Sequence, residues 1–264
     1  NVILNLFFVI VCKMATDGVA LASIISQYLS AVLVLLHMTH LTDSCRVEWK
    51  LLRLHGGEAG RILGLGIPAG IQHMIFAVAN LFIQVGINSF DSTIVSGNSA
   101  AVNVDNVIYN VMAAFYTACS TFMGQNWGAG KKERVLEGVR CTQVMILIYS
   151  VFAMVLVFFF SKYMTLLFVS ASETEVIDVA VLYFRMVFWC YPFLGSIFLY
   201  RNTLQGLGYG LVPMLGGVFE LVARTGIVLL VAGKASFAGV CLSDPAAWIS
   251  ALIPLVPYYF YVTH

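Results

Sequence analysis

Seven apolar stretches, near 16–39, 61–88, 94–123, 137–161, 175–200, 211–232 and 237–262, follow a shorter apolar run at 1–12. Each is long enough to cross a bilayer as helix, which takes about 20 residues. Inside hydrocarbon every backbone polar group must be satisfied within the segment, so such stretches are helices. Breakers divide them: Asp17-Gly18, Asp91-Ser92, Gly124 to Gly130, Ser170 to Ser172, Gly206 to Gly210, and Gly233-Lys234. The expectation is an all-α polytopic bundle with about seven complete transmembrane helices and one partial one.

Composition excludes the soluble alternative. Hydrophobic residues make up 60% of the 264 residues, charged residues 10%, and the mean hydropathy is +0.91. A soluble domain carries about 25% charged residues, so the surplus apolar surface faces lipid. The net charge of +1, without basic or acidic blocks, points away from a nucleic-acid partner. The six cysteines are scattered and form no C-x-x-C pair, which fits small buried side chains rather than a metal or disulfide framework. Asn1 opens inside an apolar run with no charged region before it, unlike a signal peptide, and reads as a cut end.

The polar connection 42–60 places Val47, Leu51 and Leu54 on one helical face among Arg46, Lys50 and Arg53, predicting an amphipathic surface helix. Loop cations set the orientation. Alternate loops hold nine Lys and Arg (Arg46, Lys50, Arg53, Arg61, Lys131, Lys132, Arg134, Arg140, Arg201), and the opposite set holds three (Lys13, Lys162, Lys234). The richer side is cytoplasmic. One echo is visible: Gly18-Val19-Ala20-Leu21 returns as Gly239-Val240-Cys241-Leu242, with Leu29-Ser30-Ala31 returning as Ile249-Ser250-Ala251. As a repeat it implies six-helix units, the second starting near residue 61. The chain then divides into the last helices of a first lobe at 1–41, the linker at 42–60, and a six-helix lobe at 61–264.

Four motifs in order carry a family resemblance. Gly124-Gln125-Asn126-Trp127-Gly128-Ala129-Gly130-Lys131 resembles the G-Q-N-x-G-A-G-K turn after helix eight of multidrug and toxic compound extrusion (MATE) transporters. Leu65-Gly66-Ile67-Pro68-Ala69-Gly70 is similar to their helix-seven entry, and Gly97-Asn98-Ser99-Ala100-Ala101 to the start of helix eight. The run Arg201 to Gly208, followed by Pro213, is similar to the loop between helices ten and eleven. The resemblance implies two six-helix lobes around a central cavity and a secondary antiporter. Such a protein exports small organic cations against Na⁺ or H⁺, with no other cofactor and no enzymatic step. It would sit in a plasma membrane, bacterial inner membrane by preference. Its partners would be cargo, bilayer and the rest of a first lobe missing upstream.

Polar groups in lipid are costly and therefore informative. His73, Asn80, Gln84 and Asn88 form one stripe, and Ser99, Asn103, Asn106 and Asn110 a second, continued by Thr117 and Thr121. Two facing stripes suit a wet cavity; amides that bond neighbouring helices are the plainer reading. Asp105 lies roughly 16 Å into its helix. A carboxylate at that depth needs a proton or a cation beside it, either for coupling or as a structural pair with a residue such as Arg185. Glu220 and Arg224, four apart, are placed to form an intramembrane ion pair. His73 is either a proton carrier or an ordinary hydrogen-bonded side chain. Gly60/Gly64 and Gly66/Gly70 read as close-packing pairs. The acid expected about eight residues after the entry Pro in the sodium-linked branch is absent, since that region reads His73-Met74-Ile75-Phe76. The coupling ion stays open between Na⁺ and H⁺.

Three rivals remain. A lipid-linked oligosaccharide flippase of the same superfold calls for a cationic cavity. A seven-helix retinal protein calls for a lysine in a late helix. A membrane enzyme calls for H-E-x-x-H, G-x-S-x-G or paired carboxylates on one face, none of which appears.

Overall fold

The protein's structure, a computed structural model, describes residues 1–41, 46–53, 55–232 and 236–263. All regular structure among the described residues is helical. It divides into two compact units, Asn1–Ala59 and Gly60–His264.

In the first unit α1 (Val2–Leu6) runs into a π turn at Phe7–Val11, and α2 spans Thr16–His40. Gly18 opens α2 where a Cβ would lie 2.7 Å from Met14 Cβ and 3.1 Å from Phe8 Cβ. Part of the surface helix expected over 42–60 lies outside the described residues. Those described there hold only a 3₁₀ turn at Trp49–Leu51, and α3 (Gly56–Ile87) already begins within the expected linker.

The second unit contains the rest of α3, α4 (Ser92–Gly128), α5 (Lys132–Thr165), α6 (Thr174–Val187), α7 (Tyr191–Gly206), α8 (Leu211–Ala232), α9 (Phe237–Cys241) and α10 (Ser243–Thr263). A 3₁₀ turn at Phe188–Cys190 joins α6 to α7, and Pro192 starts α7 at a position where its missing N–H costs nothing. Asp91 caps α4 by accepting from the Ile94 backbone N–H at 3.0 Å.

Glycines end α4 and α7 in the same way. Gly130, at φ 71°, lets its own N–H reach the Trp127 carbonyl and that of Lys131 reach the Asn126 carbonyl, both at 2.9 Å. Gly208, at φ 96°, repeats this after α7, with the Tyr209 N–H on the Leu204 carbonyl. These are Schellman caps, which need a left-handed residue. The turn motifs read in the sequence are therefore helix stops.

Within the unit α4 packs on α5, α6 and α7, and α10 packs on α8 and α7. The face of α4 carrying Ala101, Val104, Ile108, Met112, Cys119 and Met123 is buried in that core. Backbones meet at Gly124 and Gly206, where a Cβ on Gly206 would stand 2.8 Å from the Ser120 carbonyl. Among the described residues a Cβ at Gly60, Gly64, Gly66 or Gly70 would meet nothing within 4 Å, although a Cβ at Gly210 would lie 3.5 Å from the Gly64 carbonyl, so no helix packs on these pairs as expected.

Among the described residues six helical stretches are long and apolar enough to cross a membrane: α2, α3, α5, α6–α7, α8 and α9–α10. This is a multi-pass membrane protein. The seventh expected span, α4, has the length at 37 residues, but its polar stripe lowers its hydropathy below the others. Large side chains such as Ile148, Phe152, Phe159 and Leu229 remain exposed, as a lipid-facing surface requires.

Candidate functional site

One cavity of about 490 Å³ opens between α3, α4, α6, α7, α8 and α10. Drug-sized ligands occupy cavities of this order, roughly 300–1,000 Å³. Aromatic walls come from Phe76, Tyr109, Phe198 and Trp248, and polar groups from Asn80, Gln84, Asn98, Asp105 and Asn106. Tyr109 and Tyr116 both pack on Phe198, ring centroids 5.0 Å away in each case.

Five charged side chains also line it: Asp105, Arg201, Glu220, Arg224 and Asp244. Arg201 of α7 donates through Nη2 to Glu220 Oε1 of α8, and both are buried. Arg224 of α8 pairs through Nη2 with Asp244 Oδ1 of α10 at 3.2 Å, and donates through Nη1 to Asn80 Oδ1 of α3 at 2.7 Å. The Tyr183 hydroxyl reaches the other Asp244 oxygen at 3.4 Å. Phe76 lies under the Arg224 guanidinium at 4.9 Å, and Phe198 lies 6.0 Å from that of Arg201.

Asp105 stands apart. The Tyr191 hydroxyl, at the start of α7, donates to its Oδ1 at 2.9 Å. Among the described residues no Lys, Arg or His forms a salt bridge with it. The 3₁₀ turn at Phe188–Cys190 breaks the helix just before Tyr191, and Ser150 Oγ donates to the Tyr191 carbonyl at 3.4 Å.

The residues singled out in the sequence divide among several places. Asn80, Gln84, Asp105 and Asn106 share the main cavity. His73 borders a smaller one of about 130 Å³, walled partly by the same Phe76, Tyr109, Phe198 and Arg201. Asn103 opens with Ser96, Ser99 and Glu173 onto a separate groove. Asn110 is exposed farther along α4. Thr117 and Thr121 donate to carbonyls four residues back in their own helix.

Two expectations need correction. Glu220 and Arg224 do not pair with each other, because Arg201 and Asp244 approach them from α7 and α10. Arg201 is not a loop residue, because α7 continues to Gly206 and buries it. Arg185 is exposed on α6, and Tyr191 occupies the place considered for it beside Asp105. Sequence reading also missed Asn98, Tyr109 and Asp244. The signal for Asp244 was present as the lone acid of the last apolar stretch.

Comparison with known proteins gives a consistent picture. The MatE family model matches residues 68–249. The probable multidrug resistance protein YpnP of Bacillus subtilis is 28% identical over 209 residues, 79% of this chain and 46% of that protein. The probable multidrug resistance protein NorM of Thermotoga maritima is 23% identical over 208 residues, 77% of this chain and 43% of that protein. Among solved structures, a MATE crystallised in complex with MaL6 superposes with a TM-score of 0.90 at 14% identity, over 99% of this chain and 60% of the other. The chain thus spans less than half the length of both curated relatives.

Proposed function

Since this chain belongs to the MatE family of transporters, we propose that it supplies one lobe of a secondary antiporter that exports organic cations in exchange for Na⁺ or H⁺. Asp105 is the group that cargo and coupling ion share. A second lobe completes the cavity wall, and the two alternate access between the sides of the membrane.

The charge balance of the cavity carries this reading. Arg201 compensates Glu220 and Arg224 compensates Asp244, while Asp105 has a tyrosine hydroxyl and no cation. An ionised group within a membrane protein is costly until neutralised, so Asp105 favours a proton, a sodium ion or a cationic cargo. Occupancy by one displaces another, which is the minimal requirement for exchange. The aromatic walls add attraction for an organic cation. An anionic cargo, as a flippase would carry, is less well served because both buried arginines already have acid partners.

The test is efflux of a fluorescent organic cation from cells expressing this chain joined to the second lobe in one completed reading frame, with Na⁺ and pH varied separately. Efflux that collapses with one gradient supports exchange and names the ion. Absence of efflux under every condition, with the protein present in the membrane, overturns it.

A further inference from the structure

We infer that Tyr191 is a positioning residue that passes the charge state of Asp105 to the break between α6 and α7. This rests on the exchange reading for the events that change the occupant of Asp105, but every group in the relay lies inside one unit.

All three polar groups of Tyr191 are engaged, each in a different direction. Pro192 offers no N–H to the Phe188 carbonyl four residues back, and the Tyr191 N–H takes that carbonyl instead, closing the 3₁₀ turn. The Tyr191 carbonyl accepts from Ser150 Oγ of α5 at 3.4 Å, and its hydroxyl donates to Asp105 Oδ1 of α4 at 2.9 Å. Tyr191 and Ser150 are both fully buried within the unit. The segments on either side of the break are held close to α4. A Cβ on Gly97 of α4 would lie 2.6 Å from Val179 of α6, and one on Gly206 of α7 would lie 2.8 Å from the Ser120 carbonyl of α4. Contacts this close leave little room for sliding. Compliance is therefore concentrated in the broken turn between them, where Asp105 acts through the Tyr191 ring. With Asp105 ionised, the phenol donates to a charged acceptor, a bond roughly twice as strong as one between neutral groups. A proton, or a cation that draws the carboxylate toward the cavity, weakens that pull, and Tyr191 carries the change into the backbone of the turn.

Trp189 is a built-in reporter. It sits exposed in the turn with its ring 4.5 Å from that of Phe188, so a change in the turn alters the magnetic environment of its indole. The completed protein, this chain joined to the second lobe, is labelled with fluorotryptophan in lipid nanodiscs, and the Trp189 fluorine resonance is assigned by its loss in Trp189→Phe. The pH is lowered from about 8 to about 4, across the usual range of a carboxyl group. Other titratable or charged groups face Asp105 and Tyr191: Tyr183 of α6, Tyr149 of α5, and the Arg224–Asp244 and Arg201–Glu220 pairs across the cavity. The cavity side chains of α3 are uncharged. The tyrosines stay neutral over this range, and the pairs are common to every variant, so Asp105→Asn isolates the contribution of Asp105.

The Trp189 resonance shifts as the pH falls, and the shift is lost in both Asp105→Asn and Tyr191→Phe. Ser150→Ala, which frees the Tyr191 carbonyl from α5, enlarges the shift and is the second test should Tyr191→Phe not fold. A silent Trp189 in the unmodified protein, or a shift that survives in Asp105→Asn or Tyr191→Phe, overturns the relay and leaves the exchange reading to its own efflux test. A shift that behaves as expected beside absent efflux supports the relay and overturns the exchange reading alone.

Discussion

Glu220 and Arg224 stand one helical turn apart on α8 and turn away from each other, Glu220 to Arg201 of α7 and Arg224 to Asp244 of α10. Two ion pairs therefore tie α8 to both of its neighbours, where one local pair would have tied it to neither. Removing one partner leaves a buried charge uncompensated, at about 3–5 kcal/mol. Glu220→Gln should therefore unfold more readily than the double variant Glu220→Gln/Arg201→Gln in thermal melts in detergent. A double variant less stable than both single variants would contradict the pairing.

Asp105→Asn should abolish ion-driven efflux, because the amide neither ionises nor attracts a cation as a carboxylate does. Tyr191→Phe removes one hydrogen bond to Asp105, worth about 1.5–3 kcal/mol where one partner is charged. It should shift the pH or Na⁺ profile of efflux while transport continues. Efflux with unchanged ion dependence in Asp105→Asn would remove Asp105 from the coupling role.

Gly206→Ala should cost about 1–3 kcal/mol, because its methyl meets the Ser120 carbonyl at 2.8 Å and α4 and α7 must part. Gly66→Ala meets nothing within 4 Å and should be neutral or slightly stabilising, since Ala is the better helix former by roughly 1 kcal/mol. Comparing the two melting temperatures checks the packing, and equal losses would refute it.

Gly130→Ala should cost about 1–2 kcal/mol through the left-handed conformation alone, because no atom would contact the new methyl. Gly130→Asn, which tolerates that region better, should recover part of the loss in the same assay. Identical behaviour of the two variants would argue against the Schellman cap.

Helix number and the polar character of α3 and α4 were legible because both are periodic properties of contiguous residues. Asn80 and Gln84 share a stripe on α3, and the structure puts both on the main cavity. The ion pairs were not legible in the same way. A four-residue spacing makes Glu220 and Arg224 neighbours on a cylinder, but which partner wins depends on helices that arrive from 19 and 20 residues away in sequence. Arg201 was obscured by the glycine cluster that follows it. Gly206 and Gly208 mark the end of α7, but the helix continues up to the first of them, so an apparent loop residue becomes a buried one. The glycine pairs of α3 misled for a related reason: spacing shows where a helix can be approached, but among the described residues only the segment at Gly210 comes near Gly64, and no helix packs there.

The echo at Gly18 and Gly239 gains meaning from contacts of the same kind. Each glycine is the third residue of its helix, α2 or α9, and a Cβ there would press on an earlier segment, Gly18 on Phe8 and Met14, Gly239 on Val231. A short shared sequence thus marks a shared packing constraint.

The polarity of α4 also bears on how the chain is made. An aspartate near the centre of a helix opposes release into lipid by about 3 kcal/mol, and α4 adds asparagines to Asp105. The next helix, α5, is the most hydrophobic of the crossing segments and follows after only the short turn 129–131. Synthesis at the ribosome therefore presents a reluctant helix followed at once by an eager one. The two are suited to leave the translocon together as a hairpin, so the residues that make the cavity polar also tie the insertion of α4 to that of α5.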